Sequence, residues 1–260
     1  MAIFSPTIYY FGQPVTAAAG GFIIRPDTYA SSVTVAIPGT QFGSTFGQTS
    51  FRSDISGYIN GGSSLPELPL SGSGQTTNTA TNFAAVPYGT SMSRGSSSNL
   101  GAIAGNTSNV NFGSGDFTIE CWMYMPTNVS GDNPWYFCEG SGVGFAQYNG
   151  GPRWTFQNSA GAESSYFPGT PTLAANTWHH FATCRSGSTW YSCLNGVIRA
   201  NNTLAGATGT NPPFQFMGWN GNASVRTDYF QDFRITKGVA RYTGAANASY
   251  TMPSSIVTTG

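Results

Sequence analysis

The stretch FTIECWMYM, residues 117–125, decides the fold class of this 260-residue chain. It places bulky side chains on both faces of one extended segment, as successive residues of a strand point to opposite sides. Pro126 follows directly and cannot donate to a strand ladder, so the strand is expected to end there. The sequence therefore predicts a nine-residue β-strand with bulky side chains on both faces.

A hairpin is predicted further along the chain. Residues 178–185 and 190–194 have strand composition and flank the short polar loop SGST at 186–189. The dipeptide Asn195-Gly196 then predicts a second tight turn into the next strand. Two hairpins in succession favour an antiparallel arrangement.

Composition supports an all-β chain with an aromatic core. Phe, Trp and Tyr make up 14% of the residues, whereas the chain has only 7 Leu. Further strand candidates, separated by turn-forming Gly, Ser, Thr and Asn, are 33–37, 135–138, 153–156, 197–198, 214–217 and 229–235. Residues 60–82 are interpreted as a long Gly/Ser/Thr-rich connection, and no amphipathic helix or internal repeat is predicted.

Charge excludes several classes of function. Ten basic and ten acidic residues give zero net charge, so a surface that follows nucleic-acid phosphates is not expected. No apolar stretch is long enough for a transmembrane helix, and the uncharged N-terminus is interpreted as an arm, not as a signal peptide.

The potential metal ligands are sparse. His179 and His180 are adjacent, so on a strand they point to opposite faces and would rarely bind one ion. Pairing Arg185 with Trp190 in the hairpin would place Cys184 and Cys193 diagonally, too far apart for easy bridging. The four cysteines are interpreted as small core residues in the reduced state. No cofactor is predicted. Calcium binding is left as an alternative, although no cluster of Asp and Asn supplies a set of ligands for it.

Several segments carry a family resemblance. Two are similar to the laminin-G-like, concanavalin-like jelly rolls: FGSGDFTIECW at 112–122, and NTWHHFA at 176–182 followed by LNG at 194–196. The string DFRITKGVARYT at 232–243 resembles the closing strand of the bacteriophage branch of that family. DTYASSV at 27–33, followed by residues 51–56, is a weaker match to its opening strand.

The resemblance implies a two-sheet antiparallel jelly-roll sandwich at 25–260 and a separate N-terminal arm at 1–24. It also implies a virion protein assembled in the host bacterial cytoplasm. The expected role is a capsid decoration or cement protein that contacts the major capsid protein or tail proteins and forms a homo-oligomer. The alternative is a carbohydrate-binding adhesin of a tail or head fibre that contacts a host surface glycan.

Catalysis is not expected. Glycosidases of the concanavalin-like fold place two carboxylates on one strand at two-residue spacing, so that both face the sugar. None of the four Glu of this chain has a second carboxylate two residues away, and Asp228 and Asp232 are four apart. Asp116 is interpreted as a hydrogen-bonding turn residue before a strand.

Two sets of residues are candidates for contacts with other molecules. Aromatic and amide side chains in or near predicted loops would bind carbohydrate, namely Trp135, Tyr136, Trp154, Trp219, Asn220 and Asn222. Large apolar residues of the uncharged arm would anchor the subunit on partner chains, namely Ile3, Phe4, Ile8, Tyr9, Tyr10, Phe11, Phe22 and Ile23.

Overall fold

Sixteen strands make up the regular structure of the residues that the structure describes. The computed structural model describes residues 9–10, 13–14, 29, 32–37, 75–78, 91–94, 102–103, 111–126, 135–139, 143–148, 150–160, 163–166, 171–208, 214–216 and 228–253. The strands are β1 (Tyr9–Tyr10), β2 (Gln13–Pro14), β3 (Val33–Ile37), β4 (Gln75–Asn78), β5 (Ser91–Arg94), β6 (Ala102–Ile103), β7 (Phe117–Met125), β8 (Trp135–Glu139), β9 (Val143–Tyr148), β10 (Gly151–Gln157), β11 (Glu163–Tyr166), β12 (Thr177–Ser186), β13 (Thr189–Leu194), β14 (Val197–Thr203), β15 (Phe214–Phe216) and β16 (Tyr229–Lys237).

Two antiparallel sheets contain all but two of these strands. The eight-stranded sheet has the order β14-β13-β12-β7-β16-β5-β4, with β3 also paired to β16, and the six-stranded sheet has the order β11-β10-β9-β8-β15-β6. β1 and β2 pair with each other in a separate two-stranded sheet. The predicted all-β antiparallel sandwich is confirmed, and β7 has the predicted bounds.

The core lies between the two sheets and is largely aromatic. Odd-numbered residues of β7, from Phe117 to Met125, point inward and pack with side chains of the facing sheet. Phe145 contacts Trp154 edge-on, with ring centroids 5.3 Å apart, and packs against Phe181 in a tilted arrangement with centroids 4.0 Å apart. Aromatic rings thus supply the buried area that the few leucines cannot.

The predicted hairpin register is confirmed. Arg185 pairs with Trp190 and Cys184 pairs with Tyr191 across β12 and β13. The second turn, Asn195-Gly196, has positive φ at both residues, 50° and 78°, as the hairpin turn requires. A Cβ at Gly196 would also lie 3.3 Å from the carbonyl oxygen of Tyr250, so only glycine fits there without a shift.

The chain after β16 crosses the outer face of the eight-stranded sheet. We call residues 238–253 the C-terminal strap. Its backbone pairs with the start of edge strand β14, where Ile198 N–H donates to Ala248 O at 2.9 Å and Tyr250 N–H donates to Gly196 O at 2.7 Å. The strap closes a second small core over the sheet, formed by Ala182, Cys184, Cys193, Ile198 and Tyr242 with Tyr191, Ala240, Ala248 and Tyr250.

Several strands lack a clear signal in the sequence. β4 lies within the segment interpreted as a connection, and β5, β6, β9 and β11 were not predicted. These strands are short or rich in Gly, Ser and small residues, so their pairing comes from the neighbouring strands and not from local propensity. No helix long and apolar enough to cross a membrane occurs in the described part of the chain.

Candidate functional site

The structure corrects one predicted carbohydrate ligand. Trp154 lies on β10 with none of its surface exposed, packed in the inter-sheet core. A ring without a free face cannot stack on a sugar, so Trp154 is a core residue. Trp135 and Tyr136 lie on β8, but their side chains fall outside the described residues, as do Trp219, Asn220 and Asn222 entirely.

The assembly arm is described only in part. Tyr9 and Tyr10 form β1 and pair with Pro14 and Gln13 respectively. The other predicted arm residues lie outside the described residues, namely Ile3, Phe4, Ile8, Phe11, Phe22 and Ile23.

A buried ionic network forms where the C-terminal strap meets the outer face of β7. The Glu120 carboxylate is fully buried, and its Oε1 lies 3.1 Å from Arg234 Nη2 and 3.5 Å from Arg241 Nε. Its Oε2 accepts a hydrogen bond from Tyr242 Oη at 2.5 Å and lies 3.3 Å from His180 Nε2. In the sequence, Glu120 is notable only because it has no second carboxylate two residues away.

Electrostatics keep this carboxylate ionised. Burial by itself would raise the pKa of Glu120, but the Arg234 cation, the hydrogen bond to His180 and the Arg241 cation together hold that pKa well below its ordinary value of 4.5. A fully buried carboxylate that is neutralised in this way has no exposed oxygen to offer a substrate. Its role is to bind the strap to the sheet.

The two histidines have separate structural partners. His180 contacts Glu120 through its Nε2, and its Nδ1 lies 2.8 Å from the hydroxyl of Tyr250 on the strap. His179 Nε2 lies 3.0 Å from the carbonyl oxygen of Ala174, and its Nδ1 lies 2.9 Å from Asn195 Nδ2. Their opposed directions follow from strand alternation. Among the described residues, no three His, Cys, Asp or Glu side chains are grouped closely enough to hold a metal ion.

Stability is expected to fall with acidity because of His180. Burial lowers the pKa of His180 below its ordinary 6.5, although Glu120 acts in the opposite direction. The unfolded chain therefore binds this proton more tightly, so the contribution is present above about pH 6.5 and is lost as the pH falls below that value. The pKa of Glu120 in the folded state is lowered as well, so its contribution to the free energy of unfolding is also lost as the pH falls, but only from about pH 4.5 downwards.

Thermal melts at a series of pH values check this expectation. The midpoint should fall between about pH 7.5 and pH 5, and the fall should be shallower in His180→Gln, which cannot titrate. His179, whose pKa burial also lowers, supplies the residual slope in that variant. A midpoint that is constant or rises towards pH 5 would contradict the assignment.

Other carboxylates and the cysteines are structural as well. Asp116 Oδ1 accepts a hydrogen bond from Gly187 N–H at 2.8 Å, which agrees with the predicted turn role. Asp232 sits at positive φ (52°) in the bulge of β16, and its Oδ2 lies 3.5 Å from Arg234 Nη2. Cys121, Cys184 and Cys193 are free and buried, and the Cys138 side chain lies outside the described residues.

Three aromatic residues form a second feature of the outer face, beyond the strap. Trp178 of β12, Tyr124 of β7 and Tyr229 of β16 are cross-strand neighbours, and each is partly exposed. Neighbouring ring centroids are 5.7 Å and 5.9 Å apart. We call these three side chains the aromatic row. The sequence alone does not predict this site: alternation along β7 places Trp122 and Tyr124 on one face, but it does not show that Trp178 and Tyr229 lie beside Tyr124.

Known structures share this fold at low sequence identity. The binding domain of Paraclostridial Mosquitocidal Protein 1 superposes with a TM-score of 0.59 at 15% identity, over 81% of this chain and 50% of that one. The botulinum neurotoxin serotype D binding domain gives 0.54 at 13% identity, over 82% and 50%. A serotype D ligand binding domain in complex with N-acetylneuraminic acid gives 0.51 at 14% identity, over 82% and 49%. The chain thus spans about half the length of these structures.

The sequence itself matches one protein family over more than half of its length. No curated protein matches the chain. The Laminin_G_3 family matches residues 99–239, a span that includes β7, the β12–β13 hairpin and all of β16. By this match and its two-sheet fold, the chain belongs to the concanavalin A-like lectin/glucanases superfamily.

Proposed function

We propose that this chain is a non-catalytic structural protein of a bacteriophage virion, placed on the capsid exterior as a decoration protein and anchored by its N-terminal arm. The observation that carries the proposal is the segment at 232–243, which resembles the closing strand of phage laminin-G-like domains. Its side chains Arg234, Arg241 and Tyr242 all contact Glu120. The segment that resembles the phage domains therefore attaches β16 and the strap to β7.

The state of the carboxylates supports a non-catalytic role. Glu120 is enclosed by cations, Asp228 and Asp232 are buried, and Asp116 holds a turn. Glycoside hydrolysis needs two carboxylates that flank a substrate bond. Among the carboxylates whose side chains the structure describes, no such exposed pair is present.

Composition supports a protein that is held among neighbours. Only 8% of the residues are charged and the net charge is zero, a surface that solubilises a free monomer poorly. The arm carries no charged side chain before Arg25. Its strands β1 and β2 pair with each other and with no strand of the two large sheets among the described residues.

Deleting residues 1–24 tests the anchoring role. The truncated protein should keep a sheet-type circular dichroism spectrum but should no longer incorporate into particles, because burial of large apolar arm residues is worth roughly 1.5–3 kcal/mol each. Particle occupancy measured by cryo-EM or gel densitometry is the readout. Tyr29→Ala, an exposed aromatic outside the arm, serves as the control and should incorporate normally.

Two results would contradict the anchoring role. Normal occupancy of the truncated protein would show that the arm is not the anchor. Loss of the folded spectrum would show that the arm belongs to the sandwich.

A carbohydrate-binding adhesin is the second candidate. It is supported by the fold shared with the binding domains of other proteins, one of them in complex with N-acetylneuraminic acid. The partly exposed aromatic row adds a chemical reason, because aromatic faces are suited to stack on sugar rings. The two roles are compatible, since a decoration protein on the particle surface can also present a glycan-binding face to the host.

A further inference from the structure

The aromatic row lies on the same face of the sheet as the ionic network but beyond the described end of the strap. Along β7 this face carries Thr118, Glu120, Trp122 and Tyr124 in turn. The strap contacts the first three of these, and its last described contact is the Trp122 Nε1–H that donates to Pro253 O at 3.2 Å. Tyr124 comes next in that series and is partly exposed, which places the row beside the end of the strap.

The polar groups at one side of the row are neutral. Asn176 and Thr177 precede Trp178 and are exposed. The Tyr124 hydroxyl donates to Asn176 Oδ1 at 3.3 Å, which brings an amide and a phenol together at the margin of the ring surface. Apolar surface with a few convergent hydrogen-bonding groups is the usual composition of a small-ligand site.

The ring geometry indicates the shape of the ligand. The planes of Tyr124 and Trp178 are inclined by 57°, and those of Tyr124 and Tyr229 by 62°. The row is therefore stepped, with no single flat surface. Separate small rings joined by flexible linkages can follow such steps, whereas the flat face of a crystalline polysaccharide cannot.

We infer that the aromatic row of Trp178, Tyr124 and Tyr229 binds a neutral, soluble oligosaccharide, with Asn176 bonding its hydroxyl groups. Pyranose rings present apolar C–H faces that match aromatic rings and hydroxyl edges that match an amide and a phenol. The amide and phenol at this margin offer hydrogen bonds to hydroxyl groups but no cation to an acidic sugar. This inference rests on the carbohydrate-binding role given above as the second candidate.

The test uses the full-length purified chain. It is applied to an array of neutral oligosaccharides with sialylated counterparts, and the affinity for the strongest neutral binder is then measured by isothermal titration calorimetry. Trp178→Ala and Tyr229→Ala should each weaken binding roughly tenfold or more, as truncation of central aromatic contacts does. Asn176→Gly should weaken it about threefold, through loss of one hydrogen-bonding group.

Asn176→Gly also separates a loss of binding from a loss of folding. Asn176 has a positive φ of 55°, which glycine adopts without strain, so this variant should melt like the wild type. Tyr29→Ala, an exposed aromatic placed against Arg241 and away from the row, should bind like the wild type.

Each alternative outcome has a distinct meaning. Binding by the wild type that all row variants retain would overturn this site and leave the carbohydrate-binding role standing elsewhere. No binding to any neutral glycan would overturn both. Row variants that change the sedimentation coefficient without changing glycan affinity would assign the row to contact with a second copy, and stronger binding to the sialylated glycans would overturn the preference for neutral sugars.

Discussion

Glu120→Gln is expected to lower the free energy of unfolding by about 3–5 kcal/mol, the usual cost of leaving buried charges without their partner. The substitution keeps the shape of the side chain but removes the negative charge. The Arg234 and Arg241 cations, which lie 3.1 Å and 3.5 Å from Glu120 Oε1, would then remain in the interior with less compensation. Urea unfolding at neutral pH measures the loss.

A double-mutant cycle separates the ion pair from general disruption. Arg234→Met alone leaves the Glu120 charge with one fewer cation, whereas the combination with Glu120→Gln removes both members of the closest pair. The double variant should therefore lose less stability than the sum of the single losses, with a coupling of about 0.5–3 kcal/mol. Strict additivity, or a loss in Glu120→Gln below about 1 kcal/mol, would contradict a network that binds the strap.

Phe233→Ala and Trp122→Ala are each expected to cost about 3–5 kcal/mol, as large aromatic truncations in cores do. The Phe233 side chain is fully buried between the sheets, whereas Trp122 is 7% exposed beneath the strap. The two variants therefore test the two faces of the eight-stranded sheet separately. Chemical denaturation gives both values.

The control for these truncations is Tyr29→Ala. Tyr29 is 38% exposed and its ring lies against Arg241, so its removal should cost no more than about 1 kcal/mol, the value of an exposed cation–π contact. A small loss in Phe233→Ala would refute the inter-sheet core. A small loss in Trp122→Ala alone would show that the strap contributes little to the stability of the sheet.

The central strands were predictable because their information is local. The pattern of residues 117–125 predicts the strand without reference to distant residues. In the same way, the polar loop before residues 189–194 and the Asn-Gly turn after them predict the hairpins. The registers of Arg185 with Trp190 and of Cys184 with Tyr191 follow from the length of the loop alone. The short strands β4, β5 and β6 form because they pair with neighbouring strands, and local strand propensity does not reveal that pairing.

The site residues were less predictable, because exposure is a property of packing. Trp154 resembled a loop aromatic in the sequence and is completely buried in the structure. Trp178 was identified only as part of a hairpin, yet the structure sets it beside Tyr124 and Tyr229 from two other strands. A pattern along one strand shows which side chains share a face, but not which face stays open.

The sequence by itself determined the antiparallel sandwich, the aromatic core and the lack of close carboxylate pairs, since alternation, turn residues and composition are read along the chain. Only the tertiary structure decided that Glu120 would meet His180, Arg234, Arg241 and Tyr242, which lie 60 to 122 positions further along the chain. The physical reason is that β12 and β16 pair with β7, which brings His180 and Arg234 to Glu120, and that the strap then folds back over these strands with Arg241 and Tyr242. Such contacts depend on the three-dimensional path of the chain and not on spacing along the sequence.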